Sequence, residues 1–105
     1  MYNRFDILLV SLDPSIGSEI NNTRPCVVIS PDEMNKHIKT LIIAPMTSTI
    51  KNYPTRIPII FSEQKGSIVL DQIRVIDKAR IVKKLGTLDI KTMTLVLNAL
   101  EKMFS

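Results

Sequence analysis

Apolar residues fall in short, nearly continuous runs through the first two-thirds of the chain and at helical spacing near its end. Residues 5–12, Phe-Asp-Ile-Leu-Leu-Val-Ser-Leu, read as a strand closed by the turn signal Asp13-Pro14. Residues 13–24 hold Pro14, Gly17, Ser18, Asn21, Asn22 and Thr23, a polar loop long for a plain hairpin and therefore suspected of function. Residues 25–30 form a second strand. Ser30 then reads as an N-cap, with Pro31 in the first helical position and Glu33 completing a capping box. The helix has to be short, because a third strand, Leu41–Met46, follows and ends in Thr47-Ser48-Thr49. Residues 56–61 and 67–73 are further strands with a turn near Gly66, and residues 74–84 have weak strand character. Asp89 caps a terminal helix that places Ile90, Met93, Val96, Leu97, Leu100, Met103 and Phe104 on one face, its methionines filling the core or a dimer face. The expectation is one α+β domain over residues 1–105: a mainly β, curved sheet or partly closed barrel with a short crossover helix and a packing helix at the end.

Composition narrows this picture. The 105 residues suit one small domain, and with 5% aromatics and no Trp the core must be built from Ile, Leu, Val and Met. A domain this small gains from dimerisation. The net charge of +4 fits an anionic partner, and equally a lysine-rich solvated surface. Cys26 is the only cysteine, so it forms no internal disulfide and reads as a buried core residue in a reducing compartment. Asp6 and Asp13 bracket an apolar run too short for a signal or membrane segment, which points to the cytoplasm.

The chemistry is bounded by what is missing. There is no glycine-rich phosphate loop, dinucleotide fingerprint, nucleophile elbow, metal-ligand cluster or histidine pair; His37, the only histidine, reads as exposed. Work must fall to Arg, Lys, Glu, Asp, Thr and Ser, which gather at strand ends in Gly17–Pro25, Met46–Lys51 and Leu70–Arg74. Arg24 precedes a proline, so its backbone is biased to extended conformation. Its planar, charged fork suits phosphate, and Thr47 offers a hydroxyl to the same group. The plainer alternatives are a solvated strand-end charge for Arg24 and a turn with backbone-bonded hydroxyls for Thr47-Ser48-Thr49.

The order of several motifs resembles the MazF/PemK toxin family. These are Asp6–Pro14 running into Gly17-Ser-Glu19, Asn22-Thr-Arg-Pro25, Cys26–Ser30, Ala44-Pro-Met-Thr-Ser48, Tyr53-Pro54 and Leu70–Lys78, together spanning nearly the whole chain. The resemblance implies an SH3-like barrel with a terminal helix, metal-independent cleavage of single-stranded RNA without a cofactor, a symmetric homodimer, and an acidic, partly disordered antitoxin that competes for the groove. It places the family's essential arginine on Arg24, its threonine on Thr47, its acidic loop residue on Glu19 and its late RNA-contacting pair on Asp71-Gln72. Ser18, Ser48, Thr49, Lys51 and Arg74 join these as candidate RNA contacts. Phe5 replaces the usual glycine before Asp6, where a local packing change is expected, and Ile20 replaces the usual glutamine after Glu19, in a loop that borders the RNA groove.

The implied reaction is attack by the RNA's own 2′-hydroxyl, with Arg24 stabilising the phosphorane and Thr47 orienting an oxygen of the same phosphate. Arginine is a poor base, so Glu19 is the better proton acceptor if its loop brings it close. Lys51, Arg74, Lys78, Arg80, Lys83 and Lys84 either track the RNA backbone or form a solvated basic face. A CcdB-like gyrase poison shares the implied fold but depends on a tryptophan near its C-terminus, which this chain lacks. A non-catalytic SH3-like module would need an aromatic groove, and two Tyr and three Phe spread along the chain supply it poorly.

Overall fold

Nearly continuous apolar runs become strands here because both faces of the central sheet are covered. The computed structural model describes all 105 residues. Strands β1 (Asp6–Ser11), β2 (Thr23–Val28) and β3 (Thr40–Thr47) are the middle of a curled half-barrel sheet, with the helix α1 (Asp32–His37) between β2 and β3. The hairpin β4 (Arg56–Phe61) and β5 (Gln64–Val69) follows, then β6 (Arg74–Asp77), β7 (Ile81–Thr87) and the terminal helix α2 (Ile90–Phe104). The strand order is β4-β5-β3-β2-β1-β7, with β6 pairing the first half of β3. All pairings are antiparallel.

Alternation sorts side chains into two cores. Leu8, Val10, Cys26, Val28, Leu41, Ile43 and Ile76 form the core on one face of the sheet. Ile7, Val27, Ala44, Met46, Ile57 and Ile68 face the other way, where Val96 of α2 closes the second core with Met93, Leu100 and Met103 packed against it. Ile90, Leu97 and Phe104, expected on the same helix face, are instead exposed. They repeat at seven-residue spacing and drift off the buried stripe, whose members follow the 3.6-residue period.

Other local expectations need correction. The capping box does not form: Pro31 takes the N-cap position without a side-chain cap, and Glu33 pairs with His37 at 3.1 Å. Ser30 is drawn into the core instead, where its hydroxyl donates to Asn35 Oδ1 at 2.6 Å and accepts the Ile42 N–H at 3.1 Å. Helix α1 does not cross over the sheet, because β2 and β3 are direct antiparallel neighbours. The second strand starts at Thr23 rather than residue 25, so it contains Arg24. The turn expected near Gly66 lies at Ser62-Glu63, both left-handed (φ 50° and 65°), as a two-residue hairpin loop requires. The strand expected over 67–73 ends at Val69, and Leu70–Gln72 is a single 3-10 turn.

At Phe5, the residue in the glycine position, the backbone is left-handed (φ 72°) and the ring is buried in the core beside α2. The change is therefore more than packing, since a non-glycine residue pays for this conformation and recovers the cost through burial. The next residue, Asp6, is 2% exposed. Its carboxylate accepts the Asn3 N–H at 2.9 Å and the Thr87 hydroxyl at 3.2 Å, and meets Lys84 Nζ at 3.2 Å. Asp6→Ala leaves these three donors without their partner and should lower stability by about 2–3 kcal/mol. Urea unfolding checks this; a midpoint equal to wild type would show that water replaces the carboxylate without loss.

Candidate active site

The antiparallel register of β2 and β3 decides where Arg24 and Thr47 meet. The paired register ends at Cys26 opposite Pro45, and Arg24 and Thr47 each lie two residues beyond that last pair, on the neighbouring strand ends. Both line one cleft of about 310 Å³. Arg24 is half-buried, and its Nε donates to the Asn21 carbonyl at 2.6 Å. That bond fixes the guanidinium plane and leaves its terminal nitrogens without a protein partner. Thr47 Oγ1 accepts the Thr49 N–H at 3.2 Å, so its own proton remains free to donate. The turn expected as the plain alternative for Thr47-Ser48-Thr49 is thus present, and it leaves the hydroxyl usable.

Ser48 lines this cleft, whereas Thr49 supplies only its N–H and Lys51 is exposed outside it. The opposite wall comes from the β4–β5 hairpin, through Ile59, Phe61, Gln64, Lys65 and Gly66. Nothing in the sequence marked Gln64 or Lys65. Gly66, expected from the sequence as a turn, lies inside β5, where a glycine marks close backbone approach. A Cβ at Gly66 would sit 2.5 Å from the Thr47 carbonyl oxygen. Glycine therefore lets β5 lie directly against the end of β3 that presents Thr47.

Glu19 is not in this cleft. It lines a second one of about 400 Å³, together with Ser18, Asp71, Gln72 and Arg74. Its carboxylate accepts the Ile16 N–H at 2.7 Å and closes a local turn. Gln72 clamps this loop: its amide oxygen accepts the Ile20 N–H at 2.8 Å, and its amide nitrogen donates to the Ser18 carbonyl at 3.3 Å. Asp71 accepts from the Arg56 guanidinium at 2.8 and 3.1 Å and from the Thr55 hydroxyl at 2.9 Å. The hydrogen bond from Arg56 holds the Asp71 carboxyl below the usual range and raises the arginine in turn.

Most of the expected basic track is committed within the chain. Arg74 donates to the Leu12 carbonyl, and Arg80 donates to those of Ser11 and Asp13. Lys78 donates to the Asn35 carbonyl at the end of α1, and Lys84 pairs with Asp6. These cations fasten the loop and the helix to the sheet. Beneath the site, Cys26 is fully buried, and burial pushes its thiol up to about 12, against the lowering effect of Arg74 and Arg24.

A curled β half-barrel with a terminal helix, and an arginine fork and a threonine hydroxyl lining one cleft, define a candidate phosphate-handling protein. Comparison with known proteins names the class. Residues 3–104 match the model of the PemK-like, MazF-like toxins of type II toxin–antitoxin systems, and the chain belongs to this family. It is 39% identical over 107 aligned residues to an endoribonuclease MazF of Staphylococcus saprophyticus, covering 96% of this chain and 89% of the relative. Its fold superposes on MazF of Deinococcus radiodurans with a TM-score of 0.85 at 22% identity, covering 97% of this chain and 94% of that one. An endoribonuclease solved in complex with its cognate antitoxin, from a mycobacterial species, gives 0.83 at 20% identity over 97% and 93% of the two chains.

Proposed function

We propose that this chain is an endoribonuclease toxin that cuts single-stranded RNA without a metal ion and is neutralised by a cognate acidic antitoxin. The observation that carries the proposal is the Arg24–Thr47 cleft, lined both by a fixed guanidinium with its terminal nitrogens free and by a hydroxyl with a free proton. The 39% identity to an endoribonuclease MazF supports the substrate class, and the solved antitoxin complex of a similar fold supports the partner. No helix is long and apolar enough to cross a membrane. A cytoplasmic homodimer with RNA in its groove is the assembly we propose.

In the reaction, the 2′-oxygen bonds to phosphorus as its proton leaves, the bond from phosphorus to the 5′-oxygen breaks, and the departing oxygen takes up a proton. A cyclic phosphate and a 5′-hydroxyl remain. Charge accumulates on the non-bridging oxygens, where the free nitrogens of Arg24 stabilise it and the Thr47 hydroxyl donates. Ser18, Ser48, Thr49, Lys51, Asp71, Gln72 and Arg74 border the path of the strand. Glu19, tied to the Ile16 N–H outside the cleft, is placed to shape that path and becomes a proton acceptor only if its loop moves.

Purified protein incubated with a long single-stranded RNA in EDTA should cut it and leave cyclic phosphate and 5′-hydroxyl ends. Cutting that requires added Mg²⁺, or ends that carry a 5′-phosphate, would overturn the mechanism. No cutting under any condition would turn attention to gyrase inhibition.

A further inference from the structure

Four of the cations expected to track RNA are committed to protein carbonyls or a carboxylate: Arg74, Lys78, Arg80 and Lys84. The β4–β5 wall of the Arg24–Thr47 cleft supplies one that is not. Lys65 lines that cleft, is exposed, and makes no hydrogen bond or ion pair. Its position is well defined. It pairs with Ile60 in the β4–β5 hairpin, and its neighbour Gly66 lies so near the Thr47 carbonyl oxygen that a Cβ there would sit 2.5 Å from it. Lys65 also borders the cleft of about 560 Å³ that continues between β4, β5 and α2, with Lys91 and Leu95 on its far side. It therefore stands on the ridge that any polynucleotide must cross on leaving Arg24 in that direction. A solvated ammonium on a flexible stem meets phosphate as a point charge.

On the reading of this cleft as a ribonuclease site, we propose that Lys65 neutralises a phosphate of the bound RNA strand flanking the one held by Arg24. It is a binding contact rather than part of the bond-breaking machinery, so its loss weakens substrate binding and leaves the chemical step intact. Each phosphate neutralised on a single strand releases counterions and steepens the salt dependence by about 0.7 in log–log slope.

The test is steady-state cleavage of a single-stranded RNA by the full chain over a series of salt concentrations. It compares wild type with Lys65→Gln, Lys65→Arg and a control, Lys36→Gln, whose exposed lysine lies on α1 outside all these clefts. Lys65→Gln should raise KM about tenfold at low salt with kcat little changed, and flatten the slope of log(kcat/KM) by about 0.7. Lys65→Arg should restore the slope. An unchanged slope in Lys65→Gln, a loss in kcat alone, or an equal loss in Lys36→Gln would each overturn the assignment. Failure of the wild type to cut RNA would remove the ribonuclease reading itself, and it is seen before any variant is compared.

Discussion

Replacing Arg24 with alanine should lower the single-turnover rate of RNA cleavage by about 10²–10³-fold, the cost of removing one preorganised donor to a developing oxyanion. The size follows from how the side chain is held. Asn21 takes Nε, so the guanidinium plane is set before substrate arrives and little reorganisation remains for the transition state. Arg24→Lys should recover only a small part of the loss, because a point charge cannot meet two phosphate oxygens as a fork does. Neither change should unfold the protein. Arg24 is half-buried near the start of β2, opposite Val10, and supports neither core. Stability should stay within about 0.5 kcal/mol of wild type. A variant that keeps more than about a tenth of the wild-type rate while remaining folded would remove Arg24 from the centre of the mechanism.

Gly66→Ala should cost about 10²-fold in the same rate, because misplacing a reacting group by as little as 1 Å is enough for such a loss. The added methyl would lie 2.5 Å from the Thr47 carbonyl oxygen, closer than real Cβ contacts allow. The obstacle is backbone, so β5 and the end of β3 must part. That moves the Thr47 hydroxyl relative to Arg24. Overpacking should also lower stability by about 1–3 kcal/mol, so rates are compared at a temperature where circular dichroism shows both proteins folded. Gly86→Ala is the natural contrast, since its Cβ would meet only the Phe61 ring at 3.8 Å and should change little. Equal effects of the two substitutions would mean that general loosening, not the position of Thr47, limits the rate.

The strands and the terminal helix were legible because apolar runs and helical spacing are local signals, although Ile90, Leu97 and Phe104 turned out to lie off the helix's buried stripe. Arg24 and Thr47 were legible for another reason: a charged fork before a proline and a hydroxyl cluster after a strand stood in a recognisable order. What escaped was decided by long-range contacts. Arg74 and Arg80 looked available for RNA, yet each caps carbonyls more than sixty residues earlier in the chain, and nothing near them in sequence shows it. Gly66 was read as a turn because glycine more often marks one, whereas Ser62 and Glu63 accept left-handed backbone in its place. Asp71 and Gln72 were placed on a strand and lie in a 3-10 turn, where their side chains hold Arg56 and the loop before β2. Lys65 carried no local mark, because its meaning depends on β5 lying against β3.

The sealed thiol beneath Arg24 has a wider consequence. With Cys26 fully buried and its ionisation pushed up to about 12, essentially none of it is thiolate at cellular pH. Peroxide, disulfide exchange and metal capture all start from thiolate, and this chain has no second cysteine to offer. Oxidative stress therefore gives the cell no cysteine handle on this protein, and any oxidative change must fall on methionines such as the exposed Met1.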